Sequence, residues 1–151
     1  MTKDKSQHVS EEKLQHNIVK WHQNEYPERK EMLFEVNNDT HSVKQAMHRR
    51  AMGMQSGAAD LMIVADGRVG AIEIKSPGST HNADHIRNQI GWGTIFAKNQ
   101  GWYLISQHED KIKDFIIAVI DGKDDTLADL CNEGFHHVHS ELMKNKKTVR
   151  F

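Results

Sequence analysis

Apolar side chains recur along the chain with two different periods, and these periods predict its secondary structure. Helical spacing extends over residues 10–23, about 82–98, 109–120 and, as a final helix or a partner-facing segment, 126–145. Short apolar runs predict strands over residues 32–36, 61–65, 69–74 and 101–106. Residues 41–57 fit either a short helix or a mobile loop. This order of elements predicts a mixed α/β layer in which helices cover the sheet.

Local signals fix the start and the end of the first helix. Ser10 is a typical N-cap, and Glu11 and Glu12 suit the positive end of the helix dipole. Tyr26 precedes Pro27, and a residue before proline avoids helical geometry. Glu11 lies on the inward side of this helix and Glu12 is more lateral, although both also suit surface positions that complement the dipole.

The sharpest local pattern is a predicted β-hairpin between residues 61 and 74. Asp66-Gly67 is a dipeptide typical of a type I′ turn, and apolar runs flank it on both sides. If these two residues form the turn, the pairing continues outward and places Asp60 directly opposite Glu73. Two facing carboxylates, with Cβ atoms about 4.5–5.5 Å apart, repel each other unless a positive charge lies between them. A divalent cation would supply that charge.

Strand alternation adds an ammonium group to the same place. Glu73 and Lys75 project to one face of the second strand, while Ile72 and Ile74 project to the other. Two alternatives stay open from the residues alone. A three-residue turn would move Asp60 to the opposite face, or the charges could form an exposed pair on a sheet edge.

Composition sets the broad class of protein. With 151 residues, 37% apolar and 27% charged, the chain is long enough for one ordinary globular domain. We predict a core over about residues 10–120 and a helical extension over about 121–151. The start M-T-K-D-K-S carries no signal-peptide apolar region, and the single Cys131 excludes an internal disulfide, so we expect a cytoplasmic protein.

Overall charge does not point to nucleic acid, but its distribution does. The chain has 20 basic and 21 acidic residues and a formal net charge of -1. Nevertheless, the run from residue 44 to 55 contains Lys44, His48, Arg49 and Arg50 and no acid. A local basic patch can contact phosphates even when the sum is neutral.

Gly57-x-x-Asp60, a hairpin and then Glu73-Ile74-Lys75 together resemble the core of the PD-(D/E)xK nuclease superfamily. Gln89-Ile90-Gly91-Trp92 makes the resemblance more specific, to the VRR-Nuc branch. The similarity extends over roughly residues 10–120. One departure is Ala59, where the family usually has proline before the aspartate; the ligand itself is unaffected.

The resemblance implies a restriction-endonuclease-like α/β core with a mixed sheet flanked by helices, and a hydrolase that uses Mg²⁺ or Mn²⁺. It implies metal ligands at Asp60, Glu73, the backbone carbonyl of Ile74 and Glu11, with Glu12 as the fallback. It assigns Lys75 to the attacking water and Gln89 to the helix beside the site. We include Arg87 with Lys44, His48, Arg49 and Arg50 as residues expected to contact DNA.

Small stand-alone VRR-Nuc proteins resemble Holliday-junction resolving enzymes, which implies a structure-selective endonuclease of a bacterial cell or a phage. Symmetric cutting of a four-way junction needs two sites, so we expect a homodimer. The alternatives are a restriction- or repair-type nuclease on duplex or flapped DNA, a non-cleaving DNA-binding module on the same fold, and a structural protein with incidental charges.

Two other groups of possible metal ligands carry little weight. No standard zinc spacing fits Cys131, His136, His137 and His139. We also give little weight, as a metal pair, to His81 and His85, which we place on one helical face.

Overall fold

A computed structural model describes residues 9–151. The first residues, which we interpret as lacking a signal peptide, lie outside this range. The elements are α1 (Glu11–Glu25), a 3₁₀ helix (Pro27–Met32), β1 (Leu33–Glu35), α2 (Val43–Ala51), β2 (Leu61–Ala65), β3 (Arg68–Ile74), β4 (Thr80–Asn82), α3 (Ala83–Lys98), β5 (Trp102–Ser106), α4 (Glu109–Asp121), α5 (Asp124–Lys144) and β6 (Thr148–Arg150).

The main sheet has four strands in the order β1-β2-β3-β5. β2 pairs antiparallel with both β1 and β3, whereas β5 pairs parallel with β3. A parallel neighbour needs a crossover connection, and α3 lies in that connection between β3 and β5. The predicted mixed sheet flanked by helices is therefore confirmed.

The hairpin turn forms as its two residues require. Asp66 has φ 48° and Gly67 has φ 79°, and positive φ at both central positions is the mark of a type I′ turn. Ala65 pairs with Arg68, and Leu61 pairs with Ile72. The predicted register is confirmed, and the three-residue turn is excluded.

Helices cover both faces of the main sheet. On one face, α1 and α4 pack on the hairpin through a cluster that includes Ile18, Ile72 and Phe115. On the other face, α3 and the later part of α5 pack on Ala71 and Tyr103. The alternation of β3 thus separates an apolar face from the face that carries its charges.

A second, two-stranded sheet joins β4 to β6. The nitrogen of Gly78 donates to the carbonyl of Phe151 at 2.6 Å, and the nitrogen of Phe151 donates to the carbonyl of Ser79 at 2.9 Å. Thr80 begins β4, and β6 supplies its partner strand. The chain after Lys75 is therefore held by residues from 147–151.

Two further segments are specified by the structure beyond what the sequence predicted. The strand predicted over residues 32–36 shortens to Leu33–Glu35, because the chain from Pro27 first makes a 3₁₀ helix. The ambiguous segment 41–57 contains α2, which has an N-cap at Ser42 and no buried residue.

In the described part of the chain, no helix has the length and apolar character needed to cross a membrane.

Candidate active site

Glu73 of β3 and Lys75, which directly follows β3, are buried on the face opposite the isoleucines. Glu73 is 3% exposed and Lys75 is 2% exposed, while Ile72 and Ile74 join the apolar cluster beneath α1 and α4. This arrangement follows from the two-residue period of a strand. The alternative of an exposed charged pair on a sheet edge is wrong, because β3 lies between β2 and β5.

Asp60 reaches the same place from the start of β2. Its nitrogen donates to the carbonyl of Ile72 at 3.0 Å, and its carboxylate oxygen Oδ2 accepts from the nitrogen of Ile74 at 2.8 Å. In an antiparallel ladder the N–H and C=O of one residue point to the same side of the strand. The N–H of Ile74 therefore faces Asp60, while the role of its carbonyl as a ligand stays a prediction.

Glu73 is oriented by two donors that meet at one of its oxygens. Lys75 Nζ donates to Glu73 Oε1 at 3.1 Å, and Gln89 Nε2 from α3 donates to the same atom at 2.7 Å. The other oxygen, Oε2, is buried and has no hydrogen-bond partner among the described residues. A buried carboxylate oxygen without a partner is costly, and this one needs a cation or a proton.

The electrostatics of the site point the same way. Burial, reinforced by the neighbouring Asp60, raises the pKa of Glu73 to about 8, against the opposing effect of Lys75. Burial also raises the pKa of Asp60, although the N–H of Ile74 and the charge of Lys75 favour its ionised form. The single ammonium does not fully balance two desolvated carboxylates, so the site favours a further positive charge.

The donor set fits Mg²⁺ or Mn²⁺. These ions prefer carboxylate and carbonyl oxygens, and Mg²⁺ commonly keeps several waters and takes only one or two protein carboxylates. Asp60, Glu73 and the carbonyl of Ile74 would hold the ion. Among residues 9–151, no group of three or more His, Cys, Asp or Glu side chains is placed to hold a metal, so a fully protein-made cage is not present.

Glu11 lies at the rim of this site. It is the first residue of α1, after the N-cap Ser10, and its Oε1 stands 3.4 Å from His81 Nε2. Its side chain is 42% exposed. Glu11 borders the cavity that contains Glu73, whereas Glu12 borders only a neighbouring groove. The structure thus brings Glu11 rather than Glu12 to the site, at its edge.

These groups share a cavity of about 380 Å³, which we call the acidic pocket. It is lined by Glu11, Asn38, Asp39, Thr40, Arg50, Met54, Ser56, Gly57, Ala58, Asp60, Glu73, Lys75, His81, His85 and Gln89. All five predicted catalytic side chains, Glu11, Asp60, Glu73, Lys75 and Gln89, border this pocket.

Two histidines border the acidic pocket without having been predicted there. His81 lies in β4, so its placement on one helical face with His85 is wrong: Asn82 caps α3, and the helix begins after it. His85 Nε2 lies 3.2 Å from Gln89 Nε2. The four-residue spacing of His85 and Gln89 on a helix could have indicated that His85 lies at the site. No such signal exists for His81, because its position depends on the pairing of β4 with β6.

The expected DNA-contacting residues divide into two groups. Arg50 borders the acidic pocket, while His48 and Arg49 border an adjoining cavity beside α2. Lys44 is exposed on α2 and borders neither cavity. Arg87 also borders neither, and its guanidinium donates to Asp84 and to the carbonyl of Lys146.

The histidines and the cysteine of α5 are separated from this site. Cys131 is buried, and burial raises the pKa of its thiol to about 12. His136 and His139 are exposed on the same helix, and His137 contacts the carbonyl of Arg150. None of the four borders the acidic pocket.

Comparison with known proteins agrees with this architecture. No family model and no curated protein matches the sequence. Among solved structures, the chain is similar to a VRR_NUC domain protein, with a TM-score of 0.58 and 19% sequence identity over 75% of this chain and 89% of the other. The chain therefore shares its mixed α/β fold with this VRR_NUC domain protein.

Proposed function

We propose that this protein is a metal-dependent endonuclease that hydrolyses phosphodiester bonds of DNA. One observation carries the proposal: Asp60, Glu73 and Lys75 converge in one pocket, where Glu73 Oε2 is buried without a partner. A structural protein or a non-cleaving binder has no physical reason to bury two acids where a phosphate would dock. The VRR_NUC fold of the structural neighbour supports the same class of activity.

Each predicted site residue has a defined task in this proposal. Asp60, Glu73 and the Ile74 carbonyl would hold Mg²⁺ or Mn²⁺, and the bound ion would lower the pKa of a water and neutralise charge on the phosphate. Lys75 orients the attacking water or stabilises the developing negative charge. Gln89 keeps Glu73 in place through the 2.7 Å bond to Oε1. Glu11, at the rim, would add a further carboxylate near the residues that hold the ion.

Basic residues of α2 position the DNA. Arg50 at the acidic pocket, with Arg49 and His48 beside it, contacts phosphates near the cleaved bond. Lys44 contributes from the exposed side of the same helix at a greater distance. Arg87 is bonded to Asp84 and Lys146, so its contact with DNA belongs to a more distant part of the substrate.

Branched DNA is the substrate class that we favour, with the four-way junction first. The described elements form one α/β layer with a small second sheet, and among residues 9–151 no separate module is available to recognise a base sequence. Recognition by shape therefore fits better than recognition by sequence. Two symmetric cuts in a junction require two active sites, which a homodimer would supply.

The test is an incubation of the purified protein with a labelled four-way junction and with a linear duplex of the same sequence. Mg²⁺, Mn²⁺ and EDTA are compared. We expect cleavage of the junction with either metal and none with EDTA. Cleavage of all substrates alike would favour the duplex or repair-type alternative. Tight binding without cleavage under any condition would favour the non-cleaving module and contradict the proposal.

A further inference from the structure

A second cavity adjoins the acidic pocket, and the proposed hydrolysis uses only His48 and Arg49 of its lining. It lies between α2, the segments on either side of α2, and Trp92 of α3, and its volume is about 620 Å³. We call it the α2 cavity. It shares Asn38, Met54 and Ala58 with the acidic pocket, so the two spaces are neighbours with a common wall. Its volume is within the range of small-molecule sites in proteins, about 300–1,000 Å³.

The lining of the α2 cavity combines three kinds of group. The first kind is the amide side chain, contributed by α2 and by the segments on either side of it. These residues are Asn37, Asn38, Gln45 and Gln55. Trp92, half-buried and stacked on Phe96 at 5.1 Å, supplies an aromatic wall. Arg49 adds positive charge, and among the described residues no Asp or Glu lines this cavity.

Part of this wall is already fixed by the protein. Asn38 Nδ2 donates to the carbonyl of Ala58 at 3.1 Å. Arg49 Nη2 donates to the carbonyl of Asn37 at 3.3 Å, which ties α2 to the opposite side of the cavity. Gln45 Oε1 accepts from the nitrogen of His41, so its amide nitrogen is the end that can serve a ligand. A fixed polar wall lowers the entropy cost of binding.

Flat aromatic surface, amide donors and acceptors, and a neighbouring cation are the groups that recognise a nucleobase attached to a phosphate. An apolar peptide would leave the amides and the guanidinium unpaired. We propose, on the basis of the proposed nuclease function, that the α2 cavity binds one unpaired base of the DNA next to the cleaved phosphate. A base within duplex DNA cannot enter unless it is unstacked, so the site favours a base that is unpaired or easily unstacked, as at the branch point of branched DNA.

Binding is measured in EDTA, so that no cleavage is needed. The probe is a fluorescein-labelled duplex with a single-stranded flap. In turn, each of the first three unpaired nucleotides is replaced by an abasic site or by 2-aminopurine. We expect one position at which the abasic change weakens binding about tenfold, the order expected for one stacked base. At that position 2-aminopurine fluorescence changes on binding.

Two variants assign the effect to the α2 cavity. Gln45→Ala combined with Gln55→Ala removes two amides, and alanine suits the α2 helix. Trp92→Leu removes the aromatic wall. In each we expect the affinity ratio of normal to abasic flap to fall towards one. Gln23→Ala, an exposed glutamine of α1 that borders neither cavity, is the matched control and should keep the full ratio. Thermal unfolding of each variant verifies that it is folded.

The outcomes separate this inference from the proposed function. Equal affinity for normal and abasic flaps at every position, or an unchanged ratio in both variants, overturns the base site. Cleavage in Mn²⁺ is scored independently. A protein that cuts DNA but shows no base dependence retains the nuclease and loses the base site. A protein that shows the base dependence in EDTA and never cuts loses the nuclease and keeps the base site.

Discussion

Lys75 is a buried lysine whose nearest acid, Glu73, is also buried, and that pairing places an ammonium beside the expected metal. Nζ stands 3.1 Å from Glu73 Oε1 and is almost without exposure to solvent. A buried ammonium is stabilised only by its partners, so this position is strongly constrained. Sequence reasoning could place Lys75 here because the alternation of a strand is a local property.

Replacing Lys75 tests its chemical role. Lys75→Ala should retain binding to branched DNA but lower the cleavage rate about 100-fold or more, the order found when one charge-stabilising group is removed from an active site. Single-turnover cleavage and a separate binding assay in EDTA measure the two effects. Lys20→Ala, an exposed lysine of α1, is the control and should cut normally. Undiminished cutting by Lys75→Ala would remove Lys75 from the mechanism.

The raised pKa of Glu73 makes metal binding depend on pH. With a pKa of about 8 in the metal-free protein, the carboxyl is mostly protonated at pH 7 and must lose its proton to bind an ion. Mn²⁺ affinity, measured by calorimetry from pH 6 to pH 9, should therefore rise by up to about tenfold per pH unit below 8 and then level off. Buffers of different ionisation enthalpy would show the released proton.

In the metal-free protein, Glu73 also makes the stability depend on pH. This dependence has the opposite sign to that of metal binding, because stability decreases as the pH rises. Since the pKa of Glu73 is higher in the folded protein than its ordinary 4.5, the unfolded chain loses this proton first as the pH rises. The free energy of unfolding should therefore decrease from about pH 4.5 towards pH 8. Glu73→Gln should flatten this dependence and also abolish the pH-dependent part of Mn²⁺ binding. Retention of both dependences in Glu73→Gln would contradict the assignment.

At the residue scale, the sequence predicted the groups fixed by short-range rules. Asp60 and Glu73 follow from the turn chemistry of Asp66-Gly67, because a two-residue turn determines every pair outward from it. His81 was not predicted at the pocket. Its position depends on contacts with distant residues, because it lies in a strand paired with β6. A periodic pattern carries no information about such contacts.

At the scale of elements, Arg68 fastens the hairpin to α4. Its Nε donates to the carbonyl of Val119 at 2.6 Å, and its Nη2 donates to the carbonyl of Ile120 at 2.8 Å. These carbonyls belong to the last turn of α4, where backbone acceptors lack helical partners and the helix dipole favours a cation. The hairpin that carries Glu73 is thereby tied to the helix that packs beneath it.

Loss of this contact should be visible in stability. Arg68→Ala should lower the free energy of unfolding by about 2 kcal/mol, since two hydrogen bonds from a charged donor are lost. Urea unfolding followed by circular dichroism measures the change. Arg68→Lys keeps the charge but cannot bridge both carbonyls, so it should lie between alanine and the wild type. Arg68→Ala with wild-type stability would show that the helix end is satisfied in another way.

Among the helices and strands, the long ones could be predicted from the sequence and the short ones could not. Helices α1, α3, α4 and α5 carry several turns of apolar spacing, and their observed ends lie close to the predicted ones. β4 and β6 contain three residues each, too few to show alternation. The 3₁₀ helix after Pro27 was missed because proline marks the end of one helix without specifying the conformation of the next residues.

At the scale of the whole molecule, sheet order is the part that depends on distant pairing. β3 pairs with β5 across β4 and α3, and β4 pairs with β6 across α3, β5, α4 and α5. Sequence patterns predicted the class of fold, because strands alternating with helices indicate a helix-covered sheet. The apolar alternation of single strands does not specify which of them become neighbours.

The pairing of β4 with β6 should make two distant segments open together. Val149 in β6 is fully buried, and its replacement by alanine removes packing at the centre of the small sheet. In Val149→Ala we expect faster hydrogen exchange in both residues 78–83 and residues 147–151, by about tenfold or more. Val43→Ala, at a position 79% exposed in α2, is the matched control. Faster exchange in residues 147–151 alone would contradict the coupling.

This small sheet also determines when the acidic pocket is completed during synthesis. The segment after Lys75, which carries His81 to the rim, is hydrogen-bonded to Lys147 and Phe151. A growing chain that has only reached α5 has made every predicted catalytic side chain but lacks the strand that holds this segment. The rim that carries His81 can therefore be held in place only after residues 147–151 have been synthesised and can pair with it.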